Sequence, residues 1–186
     1  MHTKTTPRAD SRVLLVLALA IAALMAFAVH ALDFPGSVHN FQRVSDGGVL
    51  LDVKPSFSEE ETYQRLTAYG EEGRDNYAFR NLTVDVLLPL AMLPAFLLLM
   101  RHALRAFSLS RASQTILYSF AFVYVLFDLA ENGAVLALLA SYPDRMHLLA
   151  AILPYLTVVK RAASLLAIGL PLVLFGVTLL RWIRRR

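Results

Sequence analysis

Apolar residues in this chain gather into four long runs, at 13–32, 83–104, 113–142 and 146–182, separated by stretches dominated by charged and polar side chains. A helix needs about 20 consecutive apolar residues to cross a hydrocarbon core, and each run meets that length. The pattern predicts an all-α integral membrane protein: a four-transmembrane-helix bundle with a small extracytoplasmic α/β segment at 33–82, between the first and second helices. A basic N-terminus at 1–12, a basic loop at 105–112 and a basic tail at 183–186 complete the plan.

The runs differ in how cleanly they end. The first stops at Asp33, Pro35 and Gly36; its Val29-His30-Ala31 would pass as a signal cleavage site, but the apolar stretch is long for a signal and reads as an uncleaved helix. The second contains Pro89 and Pro94, either of which can kink a membrane helix if neighbours satisfy the carbonyls it frees. The fourth is too long for a simple span and is interrupted by Lys160-Arg161. It reads either as one tilted helix projecting beyond the membrane, or as a surface or re-entrant segment over 146–159 leading into a span over 162–182. Bends are expected at Pro154 and at Gly169-Leu170-Pro171 in both cases.

In the 33–82 segment, Ser45-Asp46-Gly47-Gly48 between apolar stretches reads as a hairpin turn with short strands at 38–44 and 49–53. Ser58 followed by Glu61 is a capping box and predicts a helix over 59–69 that stops at Gly70. Tyr63, Leu66 and Tyr69 share one face of it, which can rest on the membrane or on the other helices. A further helical pattern runs from Glu71 toward the second span. At about 50 residues the segment is marginal as an independent core.

Charge then orients the plan. Lys4, Arg8 and Arg12 precede the first span, Arg101, Arg105 and Arg111 lie between the second and third, and Arg181, Arg184, Arg185 and Arg186 end the chain. Short loops rich in Lys and Arg stay cytoplasmic, so all of these fall on one side and both termini are expected in the cytoplasm, with the acid-rich 33–82 segment opposite. The net charge of +4 therefore reports membrane orientation, and no nucleic-acid partner is expected. Composition agrees: 57% hydrophobic and 17% charged residues exceed the apolar content of a water-soluble domain. With no cysteine and five scattered histidines, disulfides, thiol redox chemistry and cysteine-ligated metals are removed, and neither metal nor cofactor is expected. The leaning toward Ala, Leu and Arg suggests a bacterial inner membrane.

The strongest chemical signal is Phe127-Asp128-Leu129-Ala130-Glu131-Asn132 inside the third run. Asp128 lies about 22 Å from a helix end near Ser113, in the outer half of a bilayer. Asp128, Glu131 and Asn132 are spaced i, i+3, i+4 and share a face. An ionised acid at that depth costs about 2.5 kcal/mol or more unless paired or wet, so the face should point into the bundle. Lys160 and Arg161 fall near the same level in the fourth run and are available as partners. Asp85 enters at the start of the second span, and Arg74, Tyr77, Asn81 and Asp85 fall along one helical stripe. Together these residues predict a polar pocket open to the outer compartment, with Lys160, Arg161 or Arg74 free to meet an anionic group.

A purely architectural role competes with that reading, since interhelical polar contacts hold membrane bundles together at about 0.6 kcal/mol each. For Arg74, Arg80 and Glu71 a solvated or interfacial helix end is the plainer expectation, and Lys160 can snorkel to the interface unpaired. Tyr142, Tyr155 and Trp182 read as interface aromatics. Glycine-rich phosphate loops, zinc-protease motifs and nucleophile elbows are absent. The four-span layout with intramembrane acids is similar, in layout alone, to the sterol-isomerase and sigma-2-receptor type of membrane protein, and no motif carries residues across. The expected function is binding of a lipid or small polar ligand in an outward-facing intramembrane polar pocket, with a carrier as one form of it. Two alternatives stand beside it. One is an accessory subunit that docks a protein partner through the 33–82 segment; the other is an enzyme using Asp128 or Glu131 for proton transfer.

Overall fold

Each apolar run becomes a helix, and so does almost everything between them. The computed structural model describes residues 8–184 as α1 (Arg8–Ala31), α2 (Val38–Val44), α3 (Glu59–Ala68), α4 (Gly70–Leu82), α5 (Val84–Leu104), α6 (Arg111–Ser141) and α7 (His147–Ile183). Four helical stretches are long and apolar enough to cross a membrane: Ser11–Ala31, Gly70–Leu104 (α4 continued by α5), Arg111–Ser141 and His147–Ile183. Their flanks carry bare apolar side chains, among them Leu24, Phe27, Leu126, Leu165 and Val173, which suits a lipid surround and not water. α6 and α7 form the most extensive pair, α5 packs on both, and α1 rests on α5 and α2. Lys4, Arg185 and Arg186 of the expected basic termini lie outside the described residues.

One end of the bundle gathers the basic segments. Arg105 donates to Ser11 Oγ at 2.9 Å, and the Arg181 guanidinium lies 5.1 Å over the Phe107 ring, so the start of α1, the α5–α6 loop and the end of α7 adjoin. The opposite end carries a helical cap made of α2, α3, α4 and the loop at 45–58.

The cap corrects the expected α/β segment, because no strand forms among the described residues. Ser37 Oγ accepts from the Asn40 amide and starts α2 where a strand was expected. The Ser45-Asp46-Gly47-Gly48 turn is real, but it closes a helix and does not join strands. Asp46 takes φ 51° and the Gly47 amide donates back to Gln42 O at 2.7 Å, the six-to-one bond of a Schellman cap. Polar turn residues after an apolar stretch serve both purposes, and Phe41 decided between them. As a helical residue it drops into a ring cluster with Tyr69 (5.0 Å) and Tyr77 (5.3 Å). The helix from Glu59 forms as expected, with Ser58 Oγ accepting from the Glu61 amide. Glu61 itself turns to Ser56 and Arg65, so only half of the capping box closes.

The cap has no core of its own. Phe41, Leu50, Leu51, Tyr63, Leu66, Tyr69 and Tyr77 pack in one cluster with Ala134, Val135 and Leu138 of α6 and Ala150 and Leu153 of α7. The Tyr63, Leu66, Tyr69 face is thus buried inside the chain, and Tyr63 Oη caps the start of α7 by accepting from the Met146 amide. The fourth run forms one continuous helix, α7, which runs through Pro154, Lys160-Arg161 and Pro171.

Candidate functional site

The cap meets the bundle at a set of buried charges. α4 and α5 do not join smoothly: Thr83, at φ −121° and ψ −81°, breaks the helix between them. In an unbroken helix residues five apart point about 140° away from each other. Across the break, Arg80 and Asp85 meet at 2.8 Å with both side chains nearly sealed from solvent. Arg80 also donates to Gly36 O at 2.9 Å, fastening the α1–α2 corner to the same point. Gly36 sits at φ 86°, and a Cβ there would lie 3.0 Å from Val84 Cγ2, so this close approach needs glycine.

Pro89 contributes next. Its ring removes the bond that would use the Asp85 carbonyl four residues earlier, and the Asn132 side chain on α6 donates to that carbonyl at 2.8 Å. Asn132 Nδ2 also reaches Asp128 Oδ2 at 3.4 Å. Lys160 from α7 lies between two carboxylates, bonded to Glu131 and 3.4 Å from Asp128 Oδ1. Glu131, with no solvent exposure, takes a second bond from the Thr157 hydroxyl. The result is a continuous chain: Gly36 O, Arg80, Asp85, Asn132, Asp128, Lys160, Glu131, Thr157.

Above this chain the loop at 50–54 lies as a flap. Arg161 Nη2 donates to Asp52 O at 2.7 Å and to Val53 O, while Tyr77 Oη donates to Asp52 Oδ1 at 2.9 Å and accepts from the Leu51 amide. Between flap and network is a cavity of about 150 Å³ lined by His30, Asp52, Arg80, Asp85, Leu88, Tyr124, Asp128, Asn132, Lys160, Arg161 and Ser164. Two of its lining side chains keep a polar atom without a hydrogen-bond partner, Arg80 Nε and Asp85 Oδ2, although Arg80 is 2% and Asp85 8% exposed. Larger hollows lie at the surface. One of about 360 Å³ lies on the cap beside Arg65, and one of about 500 Å³ lies beside Arg74 and Tyr142.

Of the residues singled out from sequence, Asp85, Asp128, Asn132, Lys160 and Arg161 line this cavity, and Glu131 stands directly behind Lys160. Three others do not reach it. Arg74 donates to Leu66 O at 3.1 Å and stacks over the Tyr142 ring at 4.2 Å. Asn81 is spent on Tyr77 O within its own helix, and Tyr77 supports the flap from the cap side. The expected stripe through Arg74, Tyr77, Asn81 and Asp85 does not extend to Asp85, because the break at Thr83 resets the helix phase and brings Asp85 to Arg80. Arg80, expected at a solvated helix end, is instead the most central cation. Lys160 does not snorkel, and Tyr142 is engaged by Arg74 and by Thr67 Oγ1 at 3.0 Å. Sequence reasoning missed Asp52, His30, Tyr124 and Thr157; only the Arg80–Asp85 pair had a signal, two opposite charges flanking a helix boundary.

Fold and site together define an all-helical protein with four helices long enough to cross a membrane and a buried ionic network beneath a small helical cap. Comparison with protein-family models, with curated proteins and with solved structures found no match.

Proposed function

We propose that this chain is a multi-pass protein of a bacterial inner membrane that binds the polar part of a lipid or small ligand in the cavity between α1, α5, α6 and α7. Both termini are cytoplasmic and the cap faces outward, as the clustering of basic residues at the opposite end favours. The observation that carries the reading is the cavity itself, about 150 Å³ where the cap meets the bundle and lined by three buried charged side chains, Arg80, Asp85 and Asp128. A network built only to hold helices together gains nothing by leaving a space of this size beside its charges, because protein interiors are otherwise close-packed. Carriage across the membrane is one form this binding can take.

The two alternatives draw less support. Docking of a partner through Tyr63, Leu66 and Tyr69 needs a face that the chain itself covers. Proton transfer by Asp128 or Glu131 needs an acid free to titrate, whereas both share Lys160. The test is native mass spectrometry of protein extracted with its surrounding lipid, comparing wild type with Asp128→Asn of equal helicity. A small species retained by wild type and lost from the variant is expected; identical spectra without any retained species would remove the cavity from consideration as a binding site.

A further inference from the structure

We propose that a second site, the groove between α4 and the end of α6, seats one phosphatidylethanolamine molecule of the leaflet that borders the cap. The groove is separate from the central cavity, and the inference stands whether or not that cavity takes a ligand.

Position is the first ground. Two contacts fix how the helices lie against each other: the Arg74 guanidinium is 4.2 Å over the Tyr142 ring, and Asn132 donates to Asp85 O at 2.8 Å. The two stretches therefore run antiparallel, and about 15 Å of helix separates the two contacts. α6 has 31 residues, about 46 Å of helix, against about 40–45 Å for a bilayer with its headgroups. Its end at Ser141 thus reaches headgroup level on the cap side, and Leu136 lies about 7 Å deeper, where acyl chains begin.

The lining is the second. The groove holds about 500 Å³, and its lining residues come from α4, α6 and Tyr142 alone. It opens outward, with Leu82 65% exposed. Glu71, Arg74, Asp75, Ala78 and Leu82 recur at i, i+3, i+4, i+7 and i+11, so they form one face of α4. Charged side chains occupy the outer end of that face, and Leu82 with Leu136 the deep end. A phospholipid has the same order, from headgroup to chain.

Charge complementarity selects the headgroup. Arg74 commits Nη1 to Leu66 O at 3.1 Å and one face to Tyr142, which leaves further N–H groups for a phosphate. Glu71 and Asp75 are exposed and make no hydrogen bond or ion pair among the described residues. A guanidinium flanked by two carboxylates matches a phosphate followed by a primary ammonium. A net-anionic headgroup brings no cation to the carboxylates, and a trimethylated ammonium has no N–H to donate to them.

The test uses the full chain in detergent, titrated with the dioleoyl forms of phosphatidylethanolamine, phosphatidylcholine and phosphatidylglycerol and read by native mass spectrometry at neutral pH. Phosphatidylethanolamine is expected to bind about threefold more tightly than either of the others, the modest step that exposed ion pairs allow. Glu71→Gln with Asp75→Asn, both at exposed positions, should abolish that preference. Ala78→Trp fills the middle of the groove, keeps every charge and should remove the tight phosphatidylethanolamine adduct. Asp128→Asn, which alters the central cavity, should leave the preference in place. Glycerophosphoethanolamine, which has the headgroup without the chains, should form no adduct at the same concentration. Equal affinity for the three lipids, or a preference that survives loss of both carboxylates, overturns the headgroup assignment. An adduct untouched by Ala78→Trp, or a preference lost in Asp128→Asn, places the lipid elsewhere and overturns the groove as its site. Glycerophosphoethanolamine bound as tightly as the lipid overturns the role of the apolar end.

Discussion

Removal of Lys160 is the most informative perturbation of the network. Its ammonium is the shared partner of Glu131, which has no exposure, and Asp128, which is 8% exposed. In Lys160→Met, Glu131 retains the Thr157 hydroxyl and Asp128 retains Asn132, but neither keeps a counter-charge. Breaking a buried ion pair by deleting one partner costs about 3–5 kcal/mol, against about 0.6 kcal/mol for an average polar contact between membrane helices. With one hydrogen bond left to each carboxylate, the lower end applies, about 3 kcal/mol. Pairing the change with Glu131→Gln removes the fully buried charge and leaves only the Asp128–Asn132 contact, so the double variant should recover at least about 1 kcal/mol relative to the single one. The assay is reversible unfolding in mixed micelles at neutral pH, followed by circular dichroism for wild type, both single variants and the double. A Lys160→Met cost near 0.6 kcal/mol, or a double variant less stable than Lys160→Met alone, would refute a dry, mutually dependent network and place these groups in contact with water.

Other consequences can be checked independently. Gly47→Ala should cost about 1 kcal/mol, because φ 81° at the α2 Schellman cap disfavours any Cβ, while Gly133→Ala, with nothing within 4 Å of its added carbon, should be neutral or slightly stabilising; thermal midpoints of the two variants compare them directly. The contact between α3 and the α6–α7 turn should loosen in acid. The Arg145 hydrogen bond holds the Glu60 carboxyl below its ordinary 4.5, and Arg65 does the same for Glu61. A lowered folded-state value means the stabilisation is complete above about 4.5 and is lost as pH falls through the folded value, so amide exchange over residues 59–69 should accelerate there. Glu60→Gln should flatten the Glu60 part of that profile, and a profile unchanged by it would disprove the role of the Glu60–Arg145 pair. Reporter fusions at Gly47 and after residue 186 should fall on opposite sides of the membrane, and the same side for both would overturn the orientation.

Much of this protein follows from the order of its residues. The length of each apolar run and the breaks at Asp33-Pro35-Gly36 and Ser141–Met146 determine four helices long and apolar enough to cross a membrane, because helix rise and bilayer thickness are fixed. The i, i+3, i+4 spacing of Asp128, Glu131 and Asn132 determines that they share a face, and their cost in lipid turns that face inward. Pairing with Lys160 was legible from equal depth alone. Three features were settled only by packing in three dimensions. Whether 38–44 forms a strand or a helix depended on Phe41 finding Tyr69 and Tyr77, residues far along the chain. Which polar residue of α4 meets Asp85 depended on the phase break at Thr83, which brings Asp85 to Arg80, while the packing of α4 on α6 leaves Arg74 over Tyr142. The flap at 50–54 becomes a roof only because Arg161 and Tyr77 hold its backbone from two sides. Local periodicity sets the direction of a side chain relative to its own helix axis. The rotation of one helix against another is set by contacts distant in sequence, and the site is made of those rotations.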